Sequence, residues 1–263
     1  MEVQSLHVYP IKSCRGISLE EVEVQTAAMK DDRRFLVIDG EGRFLSQRNV
    51  PRMAHVEPRV AGDAIELSMR GKEPLRIVTT RDGEPRETSI WGNACEVVDQ
   101  GDEAARWLED ALGRPCRLVQ MAAGYERAMH PQLAGGPTGK LHFADAAPLL
   151  VTSEASLADL NARLDAPVPM ERFRPNLVVR GCDAYAEDTW PRIRVGDVTL
   201  APLIPCGRCI ITTTDQETLA RSKEPLRTLA TYRKHEDLGA LFGMYYLHQN
   251  EGMIRVTDAV RLG

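Results

Sequence analysis

The pattern that most constrains the fold is the alternation of apolar and polar residues in the first third of the chain. Residues 19–24, 34–39 and 55–60 follow this two-residue period. Such alternation is typical of half-buried strands, so we predict a series of short strands. Gly62-Asp63 predicts a hairpin turn, and Pro58 indicates a strand at a sheet edge because proline has no N–H to donate.

Two helices interrupt the strand pattern. Asp102 is typical of a helix N-cap, and Gly113 indicates where that helix ends. Ser153 or Ser156 begins a second helix, in which leucines recur at helical spacing. The strand pattern then returns at residues 176–180, 193–195, 198–200 and 210–214. We therefore predict a β-rich α+β fold with a few helices.

A segment rich in glycine and proline divides the chain. It runs from Met121 to Lys140 and contains the run Ala134–Gly139. This composition predicts a long surface loop or a lid between domains. We place the domain boundary at its start, which gives a first domain over residues 1–120 and a second over residues 121–263.

Charge and cysteine content exclude several classes of protein. The chain has 263 residues, with 33 Lys and Arg against 38 Asp and Glu, and a net charge of -5. This balance argues against a nucleic acid or an anionic membrane as partner. The N-terminus has no export signal, and no apolar stretch reaches the ~18 residues of a membrane span. Six cysteines are too few for a disulfide framework, so we expect a cytoplasmic protein.

The sharpest local signal is the motif Cys206-Gly207-Arg208-Cys209. Such a pair serves as a redox dithiol, as half of a zinc site, or as a source of one ligand for a soft metal. No second Cys-x-x-Cys supplies the other half of a zinc site, and the β-branched run after the motif predicts a strand rather than the helix of a thioredoxin-like dithiol. Two buried structural cysteines are a further alternative.

Basic residues from distant segments form a second signal. Lys12 and Arg15 follow the first strand pattern, and Arg34 and the segment 172–176 add further cations. Each of these residues alone is typical of a solvated surface. Together with a thiol, they suit a ligand that carries both a phosphate and a soft metal.

Five segments resemble, in the same order, motifs of the MOSC family, in particular the mitochondrial amidoxime-reducing components and their bacterial counterparts. The segments are residues 9–16 (YPIKSCRG), 153–161 (SEASLADLN), 172–176 (RFRPN), 181–190 (GCDAYAEDTW) and 206–210 (CGRCI). The resemblance implies an N-terminal MOSC β-barrel domain packed on a MOSC β-barrel domain.

The resemblance also assigns roles to residues. It implies that Cys209 ligates the metal of the molybdenum cofactor, Mo-molybdopterin, and that Asp145 is a catalytic residue beside the metal. Whether Asp145 relays protons or positions a substrate amidine stays open. The residues implied in binding the cofactor are Lys12, Ser13, Arg34, Ala146, Ala147, Arg174, Asn176, Gly207, Arg208 and Cys209.

The chain departs from the family pattern at three of these positions. Close relatives carry hydroxyl residues where this chain has Ala146 and Ala147, and a serine where it has Gly207. Any contact between these residues and the cofactor must therefore use backbone N–H groups. We expect a catalytic unit without the membrane anchor or the iron–sulfur domain of some family members.

The implied activity is reduction of N-hydroxylated compounds (amidoximes, hydroxylamines and N-hydroxylated bases) to amidines or amines. The alternative is a non-catalytic carrier of the cofactor, or of sulfur on Cys209.

The sequence has neither a dinucleotide fingerprint nor iron–sulfur spacing, so we expect a separate flavodoxin, ferredoxin or cytochrome, with its reductase, to supply electrons. We expect Ala134–Gly139 to form part of the mouth of the cofactor site. Phe242, Tyr245 and Tyr246 are predicted to lie in the core.

Overall fold

The computed structural model describes residues 1–129 and 139–263. They form a strand-rich fold, as predicted, with helices α1 (Asp102–Leu112), α2 (Glu154–Asn161) and α3 (Leu226–Tyr232) and short 3-10 helices at Pro51–His55, Met170–Phe173, Ala186–Asp188 and Ile210–Thr213. The strands are β1 (Glu2–Val8), β2 (Ile17–Leu19), β3 (Glu21–Val24), β4 (Phe35–Ile38), β5 (Glu57–Ala61), β6 (Ala64–Ser68), β7 (Leu75–Val78), β8 (Pro85–Ile90), β9 (Asn93–Asp99), β10 (Arg117–Met121), β11 (Arg127–Ala128), β12 (Lys140–Leu141), β13 (Leu149–Ser153), β14 (Leu177–Arg180), β15 (Ile193–Val195), β16 (Val198–Gly207), β17 (Lys234–His235), β18 (Gly239–His248), β19 (Gly252–Arg255) and β20 (Val260–Leu262). None of the helices in these two ranges is long and apolar enough to cross a membrane.

The largest sheet has nine strands and contains both ends of the chain. Its order is β2-β1-β14-β13-β18-β16-β15-β20, and β17 pairs with β18. Strand β1 lies between β2 and β14, antiparallel to both. The sequence boundary near residue 120 therefore does not separate the sheets, because the first strands of the chain hydrogen-bond to the second half.

The N-terminal half-barrel is built from two smaller sheets and α1. One sheet has the order β4-β10-β9-β8 and the other β5-β6-β7. Phe35 of β4, Leu108 of α1 and Met53 of the 3-10 helix Pro51–His55 are fully buried in one hydrophobic cluster. The predicted hairpin at Gly62-Asp63 is confirmed, and Pro58 lies in β5 at the edge of its sheet, as expected.

The helix ends largely follow the sequence. Gly113 ends α1 in the left-handed conformation (φ 73°), and its N–H donates to the carbonyl oxygen of Glu109. Asp102, predicted as the cap of α1, is instead the first helical residue, and Gly101 occupies the cap position. Ser153 caps α2, because its hydroxyl oxygen accepts the backbone N–H of Ser156 at 3.1 Å.

The strand predicted at residues 210–214 is wrong. Ile210–Thr213 is a 3-10 helix that follows Cys209 directly. The Thr212 hydroxyl donates to the carbonyl oxygen of Cys209 at 3.0 Å, and the Thr213 hydroxyl donates to that of Ile210 at 2.8 Å. Local bonds from threonine to the backbone compete with strand pairing and here favour a helical turn. Cys206 thus lies at the end of strand β16, and Cys209 directly precedes a helical turn. A strand after the motif therefore no longer argues against a redox dithiol.

Candidate functional site

A cavity of about 270 Å³ lies where the half-barrel meets the large sheet. Ten of the eleven predicted site residues line it: Lys12, Ser13, Asp145, Ala146, Ala147, Arg174, Asn176, Gly207, Arg208 and Cys209. They come from the loop after β1, the segment before β13, the segment between β13 and β14, and the end of β16. Segments that are far apart in the sequence therefore converge on one cavity.

Arg34 is the predicted site residue that the structure does not bring to this cavity. Its guanidinium pairs with Asp31 at 3.2 Å and donates to the Thr79 hydroxyl at 3.4 Å. Arg33 lines the cavity instead and donates to Asp32 at 2.6 Å and to the Asn176 side-chain oxygen at 3.1 Å. Arg33 lies in the turn before β4 with a left-handed backbone (φ 46°), and this turn directs its guanidinium, but not that of Arg34, into the cavity.

Two guanidinium groups of the cavity make cation–π contacts with the ring of Tyr9. Those of Arg33 and Arg174 lie 4.5 Å and 4.1 Å from the centre of the Tyr9 ring. Burial raises the pKa of Tyr9 to about 12 and lowers the pKa of Arg174 to about 10. At neutral pH Tyr9 is therefore uncharged and Arg174 is a cation. Arg174 Nη1 donates to the carbonyl oxygen of Cys14 at 2.7 Å, whereas its buried Nη2 has no partner among residues 1–129 and 139–263.

The two cysteines of the motif have different surroundings. Cys206 is 1% exposed, and its sulfur accepts a hydrogen bond from Arg208 Nη1 at 2.7 Å. Cys209 is more exposed, and Arg48 Nη2 lies 3.4 Å from its sulfur. All six cysteines are free thiols, and no group of three His, Cys, Asp or Glu side chains converges within the described ranges. Cys209 is thus the more accessible thiol of the pair.

Gly207 lies where a larger residue does not fit. A Cβ atom at this position would collide with the carbonyl oxygen of Leu238. The close approach of these two backbone segments is a physical reason for glycine at the end of β16, where relatives are expected to carry serine.

A buried lysine controls the charge of Asp145. Lys12 Nζ donates to Asp145 Oδ1 at 2.5 Å and to the carbonyl oxygen of Phe143 at 2.8 Å. Burial opposes ionisation of Asp145, but the Lys12 ammonium outweighs burial and holds the pKa of Asp145 well below its usual range. Burial also lowers the pKa of Lys12, against the opposing effect of Asp145. Asp145 is therefore a carboxylate at neutral pH.

The cavity wall also contains residues that the sequence did not predict, among them Arg33, Arg48, Trp91 and Tyr245. Tyr245, predicted as core, lines the cavity, whereas Tyr246 and Phe242 are fully buried as predicted. Arg33 is the neighbour of the predicted Arg34 in the sequence. For Trp91, the sequence signal was a large aromatic residue directly before a glycine at a hairpin turn, where small or polar residues are usual. Arg48 carries no sequence signal. The predicted mouth segment, Ala134–Gly139, lies outside the described residues except for Gly139.

The half-barrel, the large sheet and the cavity between them define a two-part β protein whose cavity is lined by cationic side chains and an accessible thiol. Two family models match the chain: the MOSC N-terminal beta barrel domain over residues 1–115 and the MOSC domain over residues 138–261. The chain therefore belongs to the MOSC family, in the group that also carries the N-terminal barrel domain.

Its relatives include the mitochondrial amidoxime-reducing components. The chain is 36% identical to component 1 of Homo sapiens and 37% identical to component 1 of Mus musculus, with 99% of this chain and 82% of each relative covered. It is 35% identical to component 2 of Rattus norvegicus, with 98% of this chain and 82% of that relative covered.

The close contact at Gly207 predicts that an alanine at this position lowers the free energy of unfolding. Gly207→Ala places a methyl group against the Leu238 carbonyl, and overpacking of this kind costs about 1–3 kcal/mol. Gly40→Ala is the control, because nothing lies within 4 Å of its added Cβ. Urea unfolding followed by circular dichroism measures both. Equal stability of the two variants would show that the Leu238 segment moves aside freely.

Proposed function

We propose that this protein is a molybdenum-cofactor-dependent oxidoreductase that reduces N-hydroxylated compounds such as amidoximes to amidines or amines. The observation that carries the proposal is the charge and chemistry of the cavity wall, which has five cationic side chains, one carboxylate and an accessible thiol. The five cations are Lys12, Arg33, Arg48, Arg174 and Arg208. The names of the relatives support the same class of reaction.

The residues present fit a cofactor that carries a phosphate and a soft metal. Within the described part of the chain, Arg174 Nη2 and Arg208 Nε are buried N–H groups without a hydrogen-bond partner, so both arginines have donor capacity to spare. Guanidinium groups suit phosphate oxygens. We infer that these arginines, with Lys12, Ser13 and Asn176, would hold Mo-molybdopterin, and that Cys209 would ligate the metal because thiolates suit soft metals.

The bound cofactor would supply the two-electron chemistry that removes oxygen from an N–OH group. The chain's own contribution is electrostatic and geometric. Asp145 is ionised at neutral pH, so it serves as a hydrogen-bond acceptor for the N–H group of a substrate amidoxime rather than as a proton donor. Lys12 keeps this carboxylate charged and holds it in place by the bond to Oδ1.

We propose a separate electron donor of the flavodoxin, ferredoxin or cytochrome type, with its reductase. The test uses the purified protein, benzamidoxime and chromatographic measurement of benzamidine. NADH or NADPH alone should give no turnover, whereas a chemically reduced dye or a protein donor should give turnover. Turnover on a nicotinamide alone contradicts the need for a donor. Stoichiometric molybdenum without turnover on any donor supports the carrier alternative instead.

The two thiols should differ in their importance for activity. We expect Cys209→Ser to lower benzamidoxime reduction more than about a hundredfold, since loss of a group that only orients a metal ligand already costs about 10- to 100-fold. Cys206→Ser should cost less, because Cys206 is buried against Arg208. Dye-driven turnover and molybdenum content of both variants measure this difference. An equal loss in both variants would favour a dithiol.

Arg174 and Arg34 form a matched pair for testing cofactor binding. Arg174→Ala removes a cavity cation and should weaken cofactor binding about 10- to 100-fold, because a hydrogen bond to a charged group is lost. Arg34→Ala should retain the cofactor, because its side chain pairs with Asp31 and Thr79 outside the cavity. Molybdenum per folded chain, with thermal unfolding as a check on stability, is the measurement. Loss of metal in Arg34→Ala alone would restore the sequence-based assignment.

A further inference from the structure

Trp91 occupies an unfavourable position for a large aromatic residue. It is the first residue of the two-residue turn between β8 and β9, and both Trp91 (φ 52°) and Gly92 (φ 82°) are left-handed. Such turns favour asparagine, aspartate or glycine at this position. The side chain is also 53% exposed. Neither backbone preference nor burial therefore explains a tryptophan here.

Specific contacts hold the Trp91 ring at the rim of the cavity. Its indole N–H donates to Asp145 Oδ1 at 3.0 Å. The Arg48 guanidinium lies 4.9 Å from the ring centre, and the Phe44 ring packs edge-on with a centre-to-centre distance of 5.5 Å. The same Arg48 reaches the Cys209 sulfur at 3.4 Å. The exposed indole is thus fixed near both the thiol and the carboxylate.

The Asp145 carboxylate connects the ring to the depth of the cavity. Its Oδ1 accepts hydrogen bonds from both Lys12 and Trp91, whereas Oδ2 has no partner in residues 1–129 and 139–263. The Asp145 side chain is 43% exposed. A ligand that donates an N–H group to Oδ2 would therefore lie beside the indole.

We propose that Trp91 determines substrate specificity by stacking against a flat, conjugated substituent of the substrate while the amidine group bonds to Asp145. The substrate class is then N-hydroxylated amidines attached to an aromatic or heteroaromatic ring, in preference to those attached to an alkyl group. Offset stacking on an exposed indole contributes binding free energy that an alkyl group does not obtain. This inference rests on the proposed function, since it assigns a substrate class to the same site.

The test compares an aromatic ligand with an aliphatic one. Benzamidine and acetamidine, the products of the corresponding amidoximes, are titrated into the purified enzyme by calorimetry. The variant Trp91→Asn removes the ring and installs a residue that the turn favours, and Trp91→Phe keeps a ring without the N–H. Trp107→Phe is the control, because Trp107 bonds to the Glu73 carbonyl and lies outside the cavity.

We expect Trp91→Asn to weaken benzamidine binding about three- to tenfold more than it weakens acetamidine binding, because both ligands lose the Asp145 contact that the indole N–H orients but only benzamidine loses the stacking. Trp91→Phe should keep most of the preference, and the Trp107 variant should keep all of it. The ratio of kcat/KM for benzamidoxime to that for acetamidoxime should fall by the same factor in Trp91→Asn. Equal weakening of both amidines, or no change in either, would overturn the assignment of Trp91.

Failure of the proposed function has a different signature. A wild-type enzyme that reduces neither amidoxime with a dye donor contradicts the proposed function, whatever the amidine titrations show. Reduction of both amidoximes by the wild type, with the same substrate ratio in Trp91→Asn, contradicts only the role of Trp91. The two outcomes are thus separable in one set of experiments.

Discussion

The pairing of β1 with β14 is the constraint on which the site depends. Strand β1 lies inside the large sheet, and the backbone N–H of His7 donates to the Asn176 carbonyl at 2.9 Å. The side-chain N–H of Asn176 donates to the His7 carbonyl oxygen at 3.2 Å. The chain then continues from β1 into the loop that carries Lys12. Because the strand is fixed by hydrogen bonds on both edges, this loop is held against the segment that carries Arg174.

The excess positive charge of the cavity is stabilised by groups around it. Buried cations are costly unless they are paired or hydrogen-bonded. Arg33 pairs with the fully buried Asp32, and Lys12 pairs with Asp145. Among the described residues, Arg174 and Arg208 have no such carboxylate partner; both bond to carbonyl oxygens and lie over aromatic rings, and Arg208 also bonds to the Cys206 sulfur. The proposal that these two arginines bind an anion therefore rests on their charge and on the donors, Arg174 Nη2 and Arg208 Nε, that have no partner among the described residues.

Local signals were sufficient for much of the fold and for most of the site. Two-residue alternation identified the edge hairpin around Gly62, and capping chemistry identified the end of α1 and the start of α2. The family resemblance identified residues that line the cavity, Cys209 among them. These features depend on neighbours in the sequence or on recurring motifs, so a single sequence contains the information they require.

The remaining features depend on contacts that local patterns do not encode. Arg33 and Arg34 are chemically equivalent in the sequence, and only the conformation of the turn before β4 decides which one faces inward. The run after Cys209 has the composition of a strand, but threonine hydroxyls bond to nearby carbonyls and wind it into a 3-10 helix. Pairing of β1 with a strand some 170 residues later is a tertiary event, since a register of this kind is set by packing rather than by local propensity.

Asp145 Oδ1 connects the half-barrel and the large sheet at the cavity. Asp145 Oδ1 accepts a bond from Lys12, which follows β1, and another from Trp91, which belongs to the half-barrel, while Asp145 itself precedes β13. The Lys12 ammonium inside the cavity and the Trp91 ring at its rim are therefore coupled through one carboxylate. Because each bond fixes the same oxygen, a displacement of the half-barrel relative to the large sheet would change the orientation of Oδ2, the atom that is proposed to bind the substrate. Under the proposed function, the packing of the two parts is therefore a determinant of substrate specificity.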